Sequence, residues 1–252
     1  MNKKFVQIVV VLVVVLILLP AICQAKKYDP NNIITDLLFR YKKMKAPNIQ
    51  GFLENKGSGL KDFTMNVSGK MKRAAEIIYD ASRTYNVGEA VLLTLLQKEQ
   101  ALITTANPTQ YQLDWATGYG INRNGKEEYK GFFNQVHWAA KALGVLYDQW
   151  RGQDWMFDAG KTKETVDGYQ ITPKNYSTAK LYIYDPYKGG PNEQWGGNWL
   201  FWNYYDKWFS DINLKKEIVT GAGPSGGPHV RSFFLRGKPN QESSFFAFSN
   251  DF

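Results

Sequence analysis

The chain opens on an apolar run, Phe5 to Leu19, broken only by Gln7 and preceded by the cationic pair Lys3-Lys4. Pro20 ends the run, and Cys23-Gln24-Ala25 places small residues at the two positions that a signal peptidase reads. A membrane span needs about 20 apolar residues, more than this run supplies. Residues 1–25 are therefore expected to be a cleaved secretory signal. A retained anchor is the alternative, and the bulky Ile22 disfavours a lipoprotein reading of Cys23. Further on, apolar positions recur at spacings of three and four, the signature of amphipathic helices. Ile34, Leu37, Leu38 and Tyr41 form one short stripe, and Pro47 to Asn55 another. Ser68 is placed to cap a helix running to Tyr85, with Met71, Ala74, Ala75, Ile78 and Ala81 on one face. Helices are also predicted over 89–103, 129–150 and 199–209, and no strand pair before 170. From Glu217 the pattern changes to short apolar runs around Gly221-Ala222-Gly223-Pro224-Ser225-Gly226-Gly227-Pro228, which reads as strand and turn. The expected fold is mostly α over 26–211, with a short β appendage over 212–252.

Composition narrows the choice of partner. One Cys and two His exclude a disulfide framework and argue against a Cys/His metal site. No metal or cofactor is expected. The 44% hydrophobic content supports a real core. The formal net charge of +8 favours anionic partners. An exported, basic, aromatic-rich chain points to extracellular polyanions or glycans and away from nucleic acid. A membrane enters only through an uncleaved signal, and a monomer is expected.

One carboxylate stands out. Glu99 lies three or four residues from Leu95, Leu96, Leu102 and Ile103, in the middle of an apolar stripe, while Gln97 and Lys98 project elsewhere around the wheel. Burial raises a carboxyl pKa, and an acid kept protonated near neutral pH can protonate a leaving oxygen. The plainer alternative is a Glu bridged to a buried Arg or a backbone amide.

The stretch from Tyr85-Asn86-Val87-Gly88 to Leu95-Leu96-Gln97-Lys98-Glu99-Gln100 resembles the catalytic helix of the lysozyme-like superfamily, which includes lytic transglycosylases and goose-type lysozymes. Ala116-Thr117-Gly118-Tyr119-Gly120-Ile121 is similar to that superfamily's glycine-containing cleft turn. Asn175 to Tyr184 is similar to its later segment, in which a tyrosine approaches the acid. Over 31–210 the text also resembles a family of secreted bacterial proteins. Gln100 stands where transglycosylases carry Ser, and the turn departs from their Gly-Leu-Met-Gln.

The resemblance implies cleavage of the β-1,4 bond between N-acetylmuramic acid and N-acetylglucosamine in peptidoglycan, with Glu99 as general acid. Asp114 is the first candidate for a second carboxylate, ahead of Glu127 and Glu128; the substrate's own acetamido group is the alternative. Gln100, Thr117, Gly118, Tyr119, Gly120, Gln135, Asn175, Tyr182 and Tyr184 are the expected substrate contacts, and Trp195 and Trp202 are further aromatic candidates. His137 and His229 are expected to be structural. Glu217 to Phe233 resembles one FG-GAP repeat of the integrin-α kind, too little for a closed propeller. The principal rival is a catalytically idle glycan-binding or adhesive protein on the same fold, followed by a structural wall module. Either way the chain is expected to be secreted or envelope-associated.

Overall fold

A computed structural model describes residues 27–121, 126–192 and 196–210. The expected signal, Trp195 and the expected repeat from 212 onward lie outside the described residues. The described chain is mostly α, as expected.

Local chemistry sets the element ends. In α1 (Asp36–Arg40), Thr35 caps by accepting from the Leu38 amide, and Asp36 and Arg40 suit the two ends of the dipole. α2 (Ala46–Asn55) carries Pro47 in its first turn. Next comes a hairpin, β1 (Thr64–Val67) with β2 (Lys70–Arg73), in the register Thr64↔Arg73 and Val67↔Lys70. α3 (Ala74–Tyr85) starts directly from it, with Glu76 accepting from the Arg73 amide at 2.9 Å, and ends on the left-handed Asn86. α4 (Glu89–Gln100) begins at Gly88, where a Cβ would meet the Tyr41 carbonyl at 2.7 Å. α5 (Gln110–Asp114) has a Thr109/Gln112 capping box. α6 (Phe132–Lys141) widens into a π-helical turn, Ala142–Leu146, before α7 (Tyr147–Gln149). A small ribbon pairs β3 (Lys163–Glu164) with β4 (Gln170–Ile171). Asn175 caps α8 (Tyr176–Tyr184), and α9 (Gly197–Phe209) follows.

α4 is the axis of the core. α9, α3 and α6 pack around it, and Glu89 through Gln97 are all buried. The segment Asp29–Ile34 is tied to α8: Ile33 donates its amide to Thr178 Oγ1, and the Tyr182 hydroxyl donates to the Pro30 carbonyl. None of the described helices is long and apolar enough to cross a membrane.

Two expectations are corrected. The predicted helix from Ser68 is a hairpin up to Arg73, so a strand pair does precede residue 170. Ser68 (φ 51°) and Gly69 (φ 84°) both adopt positive φ, the geometry of a primed two-residue turn. Asn66 Oδ1 fixes that turn by accepting from the Gly69 amide. Met71, counted in a helical stripe, is 64% exposed. The second correction concerns α4, which is buried all round from Glu89 to Gln97. Gln97 is buried and the Lys98 side chain keeps only 7% of its surface, so an amphipathic wheel misplaces them.

Candidate functional site

α4 delivers Lys98 and Glu99 to one place, and the residue after α8 supplies Asp185. Lys98 Nζ lies 2.6 Å from Glu99 Oε1 and 2.5 Å from Asp185 Oδ2. Adjacent helical residues point about 100° apart, but the long lysine stem curls back to its neighbour. The side chains of Lys98, Glu99 and Asp185 keep only 7%, 22% and 17% of their surface. Two carboxylates thus share one ammonium, and the cluster is short of one positive charge. Burial opposes charge on Lys98, yet Glu99 and Asp185 together hold its pKa above the ordinary lysine value. Burial raises the pKa of Glu99; Lys98 opposes this, and the Asp185 charge adds to it.

The turn after α5 roofs this cluster. Gly118 and Gly120 take φ values of 70° and 69°. A Cβ on Gly118 would sit 3.2 Å from Glu99 Oε2, and one on Gly120 would collide with the Tyr129 ring. Gln135 is fully buried and pins the turn. It accepts from the Thr117 amide and donates to the carbonyls of Tyr119 (2.9 Å) and Tyr129 (2.7 Å). The Tyr184 hydroxyl donates to the Thr117 carbonyl at 2.7 Å, and the charge of Glu99 bears on that tyrosine. Burial raises the Tyr184 pKa well above its ordinary value. The Tyr119 ring lies parallel to that of Trp138 and edge-on to Tyr129.

The predicted residues therefore separate. Glu99, Thr117, Gly118, Tyr119, Gly120, Gln135 and Tyr184 form one neighbourhood. Asp114 ends α5, where Gln110 donates to its carboxylate, and the carboxylate that joins Glu99 is Asp185. Gln100 offers its carbonyl to Gln112, and Asn175 serves as the α8 cap. Tyr182 is sealed in the core against Phe157. Glu127 and Glu128 are exposed. Trp202 is half-buried beside Tyr28. Lys98 and Asp185 were not foreseen. The signal for Lys98 was its place beside Glu99 on a helix too apolar to have a wet side. For Asp185 the signal was a lone acid closing the aromatic run Tyr182-Ile183-Tyr184. Among the described residues no group of three or more His, Cys, Asp or Glu is arranged to hold a metal ion.

Fold and site together define a helical domain with a charged cluster beneath a glycine turn. The family model "LasA, N-terminal domain" matches residues 33–219, and the chain belongs to that family. No curated protein and no solved structure matches the chain. LasA is a secreted staphylolytic peptidase, so the family setting is secretion and lysis of the cell wall. This corrects the expectation of a lysozyme-like glycosidase with Glu99 as general acid, because the matched family is a different one and its lytic enzyme is a peptidase. No match supports the FG-GAP resemblance of the tail.

Proposed function

We propose that this domain serves wall lysis of the LasA kind by engaging the peptide part of peptidoglycan, with Glu99 and Asp185 seating a free amine. Wall peptides carry amines on their stems and cross-bridges. The observation that carries this reading is the uneven count at the cluster, where two carboxylates face a single ammonium. A second cation is the natural complement of that deficit. Glu99 keeps some accessible surface, and Gly118 presents no side chain above its outer oxygen. Tyr119, Gly120 and Tyr184 flank the seat; Gln135 holds the turn through Thr117 and Tyr119, and the Tyr184 hydroxyl bonds the Thr117 carbonyl. The domain is assigned wall engagement and no bond-breaking step.

The test is retention of the purified chain on sacculi before and after acetylation of their free amines. Acetylation should release the chain, and Asp185→Asn should reduce retention on untreated sacculi. Unchanged retention after acetylation would falsify the amine seat. Circular dichroism of Asp185→Asn separates a lost contact from a lost fold.

A further inference from the structure

On another face, the hairpin and helices α3 and α6 enclose an open cleft of about 550 Å³. Lys70, Lys72 and Arg83 reach it, against one carboxylate, Asp80. Lys72 is paired with Asp80 at 2.6 Å. Arg83 uses one nitrogen, Nη2, on Glu89 (2.6 Å) and the Met44 carbonyl (2.9 Å), so the other edge of its guanidinium has donors to spare. Lys70 is exposed, and among the described residues it stands in no ion pair. Ser68 and Thr84 add hydroxyls. His137 lines the cleft with its ring stacked on Phe133 at 4.0 Å, and its buried Nε2 has no hydrogen-bond partner among the described residues. Burial lowers its pKa foremost; Asp80 raises it, and Lys72 lowers it.

We propose that this cleft binds a phosphate group. With Lys72 set against Asp80 and Arg83 against Glu89, Lys70 is the cation in excess, and the cations come from two elements, the hairpin and α3, so they can address several oxygens of one tetrahedral anion. A carboxylate would use a single fork, whereas lysines act on phosphate as point charges. A second cleft of about 240 Å³ shares Val67, Ser68 and Phe133 and continues past Lys130 and Asn134. That continuation suits a phosphodiester carried on a polymer; a free phosphomonoester offers the same chemistry without filling it. The site is separate from the Glu99 cluster and does not depend on the amine seat.

The experiment is an NMR titration of the full chain with inorganic phosphate, poly(glycerol phosphate) and acetate at constant ionic strength. The Ser68–Lys70 amides and the His137 ring are followed. Phosphate should give saturable shifts and raise the His137 pKa, because a bound anion offsets Lys72. Lys70→Gln, which breaks no ion pair seen here, should weaken binding about 3- to 10-fold. Tighter binding of the polymer identifies a polymer as the source, and tighter binding of inorganic phosphate identifies the free ion. An equal response to acetate, shifts that never saturate, or unchanged affinity in Lys70→Gln overturns the proposal.

Discussion

Two charged regions of this molecule use similar residues in opposite ways. At Lys98–Glu99–Asp185 the charges lie among buried side chains, contacts are 2.6 Å or shorter, and carboxylates outnumber the ammonium. At Lys70–Lys72–Arg83 the cation side chains keep more of their surface, Lys72 and Arg83 are each paired with one carboxylate, and Lys70 is the cation left over. Desolvation makes the first region sensitive to any loss of a partner, since a buried charge left alone keeps its full penalty. Screening makes the exposed Lys70 nearly neutral for folding and leaves its charge available to a ligand, while Arg83 also holds the buried Glu89. Charge count alone does not separate structure from binding; the medium around the charge does.

The largest break in this contrast is Lys98→Met. It leaves Glu99 and Asp185 facing each other with no cation, and the expected loss of stability is about 3–5 kcal/mol. Urea denaturation measures it. A loss under about 1 kcal/mol would mean that water already reaches the cluster. Next is Gln135→Leu, which keeps the bulk and removes the bonds from Gln135 to the Tyr119 and Tyr129 carbonyls and the Thr117 amide. About 2–3 kcal/mol should be lost, since unmet buried polar groups cost more than the bonds themselves return. Retention on sacculi should fall with it if the glycine turn forms the seat.

Glu99→Gln should cost less, about 1 kcal/mol or below near neutral pH, because Lys98 keeps Asp185 as its partner. Its mark is pH dependence. The Glu99 pKa is raised in the folded chain, so the folded state holds that proton more firmly than the unfolded one. This contribution is complete below 4.5, the ordinary value, and fades as pH rises through the elevated folded value. The variant lacks it, so wild type should gain on the variant as pH falls toward 4.5. Parallel stability curves for the two proteins would show that Glu99 titrates normally.

Helices 46–55, 89–100 and 197–209 were legible within a few residues because their apolar spacing is regular and Pro47 and Gly88 mark starts, although the second was read on to Ile103 and ends at Gln100. The hairpin was hidden. Its strands are four residues long, and the spacing of Met71, Ala74 and Ala75 mimics a helix. Glu99 was located by its leucine neighbours. Its partner Asp185 lies far along the chain, and no periodicity reports a contact made between separate helices. Asp114 looked equivalent in sequence but sits where Gln110, not Glu99, meets its carboxylate. The basic cleft was invisible for the same reason: Lys70 and Lys72 meet Arg83 only because the hairpin folds beside α3.

Lys70→Gln is expected to have the smallest effect on folding and is the sharpest test of the contrast. The residue is exposed and among the described residues no ion pair anchors it, so stability should stay within about 0.5 kcal/mol of wild type. Phosphate binding should nonetheless weaken. Salt adds a second axis to the comparison. The screening length falls from about 10 Å at 0.1 M to about 3 Å at 1 M, which erases attraction across an open cleft and scarcely touches buried pairs. Phosphate affinity of the wild type should therefore collapse toward that of the variant as salt rises, while the stability difference between Lys98→Met and wild type stays constant. If salt instead shrank the Lys98→Met penalty, the buried cluster would be behaving as a surface one.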